Sequence, residues 1–142
     1  MSLTEDLYKD VILQHSQNPS HRGPIADANI REAGVNRSCG DELELELFVR
    51  DGRIEKVGIL GHGCSIHTAS GSLMADAVEG KTTADAARII AEFKGMLLEN
   101  KETHFDADLE ELEALKGVKR YPIRVKCATL SWNTLEQALK KI

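Results

Sequence analysis

DELELELFVRDGRIEKVGIL, residues 41–60, carries the pattern from which the fold can be read. Leu43, Leu45, Leu47 and Val49 alternate with Glu42, Glu44, Glu46 and Phe48. A period of two marks a strand with one buried face. Asp51-Gly52 then supplies a two-residue hairpin turn, and Ile54, Val57 and Ile59 form the return strand. A weaker strand signal covers Ile30 to Val35.

Outward from the hairpin the period changes to that of helices. Upstream, Leu3, Leu7, Val11 and Leu13 or Gln14 recur near helical spacing, with acidic residues in the first turn to suit the helix dipole. That helix should stop at Asn18-Pro19, because the residue before a proline avoids helical geometry. Pro19 to Ala28 reads as a loop or extended arm. Downstream, Gly61-His62-Gly63 reads as a tight turn and Cys64 as the opening of a helix. Ile66, Ala69, Leu73 and Ala77 share one face of it, and Gly80 stops it. Thr82 or Thr83 caps a second helix with Ala87, Ile90, Phe93 and Leu97 as its stripe. An acidic segment from Phe105 to Leu115 predicts a short helix. Pro122 reads as a break, followed by a last helix from about Lys126 with Ala128, Leu135, Ala138, Leu139 and Ile142 on one face. Strands followed by helices indicate α+β: a small antiparallel sheet of about three strands with helices on one face. Residues 1–142 show no repeat and no second domain, and the length suits one core.

Composition excludes several function classes. Aromatic residues make up only 4% of the chain, too few for stacked-base recognition. A formal charge of −5 repels phosphate backbones and anionic lipid, so neither nucleic acid nor membrane is expected as a partner. No apolar run reaches membrane-spanning length, and MSLTEDLYKD lacks the basic start and apolar stretch of a secretory signal. A cytoplasmic location is the expectation.

Three cysteines, an odd number at long spacings, do not make a secreted disulfide framework. In a reducing compartment they are core thiols, a reactive site or a metal site. Each falls at a junction. Cys39 lies in the loop Asn36–Asp41 just before a strand, Cys64 at a strand-to-helix turn, and Cys127 near the start of the last helix. Helix starts gather free N–H groups and the positive end of the dipole, which favour a thiolate. Free cysteine is also among the most buried residue types, so three unrelated structural thiols are the plain alternative. Zinc accepts thiolate, imidazole or carboxylate in a tetrahedron. Asp41 follows Cys39 by two residues, with Gly40 between to let the chain bend. The spacing contains no CxxC pair and matches no zinc-finger pattern. A carboxylate among thiolates is a hard ligand among soft ones, hence a candidate for a labile position, whereas a structural site is usually closed by Cys or His.

These residues resemble the iron–sulfur assembly proteins of the IscU and NifU N-terminal family, and within it the SufU type. The resemblance covers nearly the whole chain. It begins with Tyr8, Val11-Ile12, His15, Asn18-Pro19 and Arg22-Gly23, and continues through Cys39-Gly40-Asp41 and GHGCSIHTAS (Gly61–Ser70) with Met74. RVKCATLSW (Arg124–Trp132) and Leu135-Glu136 complete it. The long stretch between Cys64 and Cys127 fits an insertion found in the SufU type. Lys126 stands where scaffold-type relatives carry a histidine ligand, and RYPIRVK (Arg120–Lys126) lacks their proline-rich chaperone-recognition segment. The resemblance implies a zinc site made of Cys39, Asp41, Cys64 and Cys127. It implies Cys39 as the sulfur acceptor, a SufS-type cysteine desulfurase as donor, and an apo iron–sulfur protein or downstream scaffold as recipient. The activity implied is a zinc-dependent sulfurtransferase forming a persulfide. The alternatives are a scaffold that builds an iron–sulfur cluster on the same four residues, and a structural zinc module that binds a partner.

Two positions depart from the family pattern. Arg37 replaces a usual proline, and His67 replaces a small residue, usually serine. His67 follows Cys64 by one helical turn and could face the site, but a solvent-facing side chain is the expectation. His15 and His21 are expected in helix packing or capping, His62 in a turn and His104 on the acidic surface. Lys126 is either an exposed helix-start residue or a cation paired with Asp41 or a thiolate.

Overall fold

The computed structural model describes residues 3–142, with side chains from Tyr8 onward. The elements run α1 (Leu3–Gln17), β1 (Ile30–Asn36), β2 (Asp41–Arg50), β3 (Arg53–His62), α2 (Ser65–Val78), α3 (Thr83–Leu98), a 3-10 helix (Ala107–Arg120) and α4 (Pro122–Leu139). The strands form one antiparallel sheet in the order β1-β2-β3. Asp51 and Gly52 have φ of 54° and 72°, the left-handed pair a tight hairpin between twisted strands requires. The register sets Leu45 opposite Ile59 and Leu47 opposite Val57. These four side chains, with Leu43 and Ile54, form the buried face of the sheet.

Helices cover that face, giving an α+β domain with a single core. Phe93 of α3 stacks on Trp132 of α4 with centroids 4.1 Å apart and planes 12° from parallel. Ser70 of α2 accepts the Trp132 indole N–H at 2.9 Å and donates to the Ala128 carbonyl at 2.5 Å. One hydroxyl thereby satisfies two buried polar groups and pins α2 to α4. The arm after α1 covers the outer edge of β3: the Gly23 N–H donates to Ile59 O and the Ile59 N–H to His21 O, both at 2.9 Å. Glu46, buried at 6% exposure, straps the arm down by accepting the Ile25 N–H at 3.0 Å and Arg31 Nε at 3.1 Å.

Several boundaries differ from the sequence reading. Helix α4 begins at Pro122 rather than about Lys126. Proline at the first helical position lacks only an N–H that would be unpaired anyway, so here it initiates rather than breaks. Ile142 lies beyond the helix end and is 63% exposed. The α3 stripe begins at Ala86, while Ala87 faces solvent. Gly61 and His62 remain in β3 instead of turning, because Gly61 adopts φ +112° and pairs closely with Leu43. The acidic segment is a 3-10 helix extending to Arg120. Leu3, Leu7 and the acidic first turn of α1 lie outside the residues whose side chains are described. Among the described residues no helix is long and apolar enough to cross a membrane.

Candidate metal centre

The β1–β2 turn builds the centre. Gly40, at φ +69°, reverses the chain so that Cys39 and Asp41 flank one bend. Asp41 opens β2 opposite Asn36 and is fully buried. Cys64 is the residue preceding α2 and is half-buried. Cys127 lies in the second turn of α4, fully buried, rather than at the helix start expected from the sequence. Its surroundings therefore come from neighbouring side chains more than from a helix terminus.

Ligand atoms of Cys39, Asp41 and Cys127 all lie within 4.8 Å of one another. Cys64 falls outside that tight group but adjoins it. Its backbone N–H donates to Asp41 Oδ1 at 2.9 Å, and its thiol stands near enough to Cys127 to raise the Cys127 pKa. Burial works against charge on Asp41. The Cys64 N–H, the Cys127 thiol, His67 and Asn36 outweigh it and hold the carboxyl below its ordinary range. Burial, followed by the proximity of Cys39, Asp41 and Cys64, pushes the Cys127 thiol well above the usual cysteine range. Converging thiols and a carboxylate cannot all carry charge cheaply without a cation between them. Two thiols and a carboxylate at ligand spacing, with a third thiol adjoining, fit a thiophilic divalent metal such as zinc, and equally an iron–sulfur cluster.

Two neighbours were missed from the sequence. Asn36 Nδ2 lies 3.3 Å from Asp41 Oδ2 and 3.7 Å from Cys127 Sγ. The strand register that sets Asn36 opposite Asp41 was the available signal. Arg124 stands near the Cys64 and Cys127 thiols, and charge on Cys64 is the main cause that raises its pKa. It sits one helical turn before Cys127, a relation hidden when the helix is started at Lys126. Of the two readings of Lys126 the exposed one holds, and the cation near the thiols is Arg124.

His67 overturns its expectation. It is 4% exposed, and its Nδ1 is buried with no hydrogen-bond partner. Burial, then the charges of Arg22 and His62, lowers its pKa against the pull of Asp41, which favours a neutral ring. The absence of a side chain at Gly63 leaves room for the ring, and the packing of α2 buries it, neither of which periodicity shows. His15 binds Ser72 Oγ at 2.7 Å and Glu111 at 3.3 Å, and His21 binds Asp76 at 3.0 Å, consistent with packing roles. His62 and His104 are exposed.

The profile of the NifU-like N terminal domain family matches residues 7–141. The chain is 37% identical over 137 residues to the zinc-dependent sulfurtransferase SufU of Bacillus subtilis, covering 96% of this chain and 92% of that one. It is 38% identical over 137 residues to the iron–sulfur cluster assembly scaffold protein IscU of Thermotoga maritima, covering 96% and 94%. A crystal structure from Fervidobacterium islandicum, described as a candidate iron–sulfur cluster assembly scaffold protein for the SUF system, superposes with a TM-score of 0.86. It is 36% identical, and the match covers 96% of this chain and 98% of that one.

Proposed function

Because the chain belongs to the NifU-like N terminal domain family, we propose that it serves iron–sulfur cluster assembly as a zinc-dependent sulfurtransferase, taking persulfide sulfur from a cysteine desulfurase onto Cys39. The observation that carries this reading is the unequal exposure of the converged donors. Asp41 and Cys127 are fully buried, whereas Cys39 on the β1–β2 turn, like the adjoining Cys64, is half-buried. Cys39 also lines an open cleft of about 550 Å³ with Ser38 and the segment Arg120 to Arg124. Tyr121 and Ile123, at 61% and 63% exposure, offer apolar contact beside it for the donor protein.

Cys39, Asp41, Cys64 and Cys127 are the residues that would hold the metal. Bound zinc supplies positive charge that keeps the thiols deprotonated at neutral pH. The Cys39 thiolate attacks the outer sulfur of the desulfurase persulfide. A new S–S bond forms on Cys39, the donor S–S bond breaks, and the donor cysteine leaves as a thiolate. Arg124 places a permanent cation near Cys64 and Cys127 and lines the same cleft as Cys39. We place the reaction in the cytoplasm, where unpaired thiols stay reduced, with an apo iron–sulfur protein or a downstream scaffold as the recipient.

Alanine formation by a cysteine desulfurase tests the proposal. Added wild-type protein should accelerate turnover, and Cys39→Ala should not. Equal stimulation by both would refute it. The second reading is a cluster scaffold, favoured by the thiolate-rich donors and the similarity to the Thermotoga maritima scaffold protein. It predicts charge-transfer absorption after anaerobic reconstitution and cluster transfer to an apo-acceptor.

A further inference from the structure

We propose that His67 is a reserve metal ligand, whose imidazole takes up the coordination position left when Cys39 departs with sulfur. The inference rests on the metal-site reading above and adds a residue to it. Buried polar atoms are almost always paired, so the lone Nδ1 of a 4%-exposed imidazole calls for an explanation. The ring stands against the metal-binding residues. A Cβ placed on Gly63 would lie 2.5 Å from both Asp41 Oδ1 and His67 Cδ2, so the carboxylate and the ring edge converge on one glycine. A half-turn of the ring about Cβ–Cγ exchanges Cδ2 and Nδ1. It brings the unpaired nitrogen to the edge that faces Asp41. A side chain at Gly63 would block this approach, which gives the glycine a role beyond the turn.

The donor arithmetic follows from the same placement. Cys39, Asp41 and Cys127 form the tight group, with Cys64 beside it. His67 stands one turn along α2 from Cys64, outside the group. Removal of Cys39 leaves two thiolates and one carboxylate, a three-donor set whose fourth position is open to water. A neutral imidazole restores four. The metal would then stay on the protein while Cys39 carries sulfur, and no thiol need be exchanged for water.

Zinc retention against a chelator tests this in the full chain. Wild type, Cys39→Ser and Cys39→Ser/His67→Asn are loaded with zinc and titrated with a competing chelator. Asparagine keeps a polar atom near Nδ1 and limits loss of packing. The double variant should release zinc about tenfold more readily than Cys39→Ser, on the scale of lost metal-site partners. Equal retention by the two would overturn the proposal. A second measurement leaves His67 intact: in nitrogen-15-labelled Cys39→Ser, the His67 Nδ1 resonance should move to the metal-bound range when zinc is added. An unmoved Nδ1 overturns the proposal even if the double variant folds poorly. Failure of wild type itself to hold zinc would take down the metal-site reading first, and is a separate outcome.

Discussion

Asn36 touches the sulfur and carboxylate atoms of the centre, and Arg124 stands near its thiols, without either belonging to the donor set. The Asn36 amide orients both the carboxylate of Asp41 and the thiol of Cys127. Loss of such outer partners typically weakens metal sites by about ten- to a hundredfold. Asn36→Ala should therefore lower zinc affinity by about tenfold, read by chelator competition, with little change in circular dichroism. At a distance from the centre, Ser70→Ala would strand the Trp132 indole N–H in the core. The expected loss is about 1–3 kcal/mol in urea unfolding. The sequence made the thiols visible as candidates because each falls at a junction. It could not show that they meet, since the chain between Cys64 and Cys127 carries α2, α3 and the 3-10 helix. The resemblance to a family supplied that link. His67 was misread because its burial comes from tertiary packing around Gly63, which a helical period cannot report.

Among the elements, β3 matters most to the centre, because it delivers Gly63 and Cys64 to Asp41. Gly61 keeps that strand paired to its end at φ +112°, close against the Glu42 backbone. Gly61→Ala would force an L side chain into left-handed space and against that backbone. It should cost about 1–3 kcal/mol in stability and weaken zinc binding as well. A variant with an unchanged urea midpoint would show that the strand end relaxes freely. The β2–β3 hairpin was legible almost to the residue, because strict alternation and Asp-Gly point to one register. The start of α4 was not, because proline signals both a helix stop and a first helical position. That one ambiguity displaced Cys127 by a turn and concealed Arg124.

At the scale of the whole molecule, acid should loosen the arm from the sheet. The Ile25 N–H, then Arg31, hold the Glu46 carboxyl below its ordinary value of 4.5. The unfolded chain binds that proton more readily, so the stability from Glu46 is complete at neutral pH. It drains away as pH falls below 4.5 through the lowered folded value. Glu46→Gln should flatten this part of the stability profile between neutral and acid pH, measured by urea unfolding across pH. Metal removal should act on the same global equilibrium. Free zinc at a hundredfold excess over its dissociation constant stabilises a folded state by about 2.7 kcal/mol, so chelation should lower the melting temperature. The central claim, however, concerns one sulfur atom. Its most direct test is peptide mass spectrometry of the zinc-loaded chain after incubation with a cysteine desulfurase and cysteine. One added sulfur, removable by a thiol reductant, is expected on the peptide carrying Cys39. Added sulfur on Cys64 or Cys127 instead, or none on any cysteine while desulfurase turnover proceeds, would contradict it.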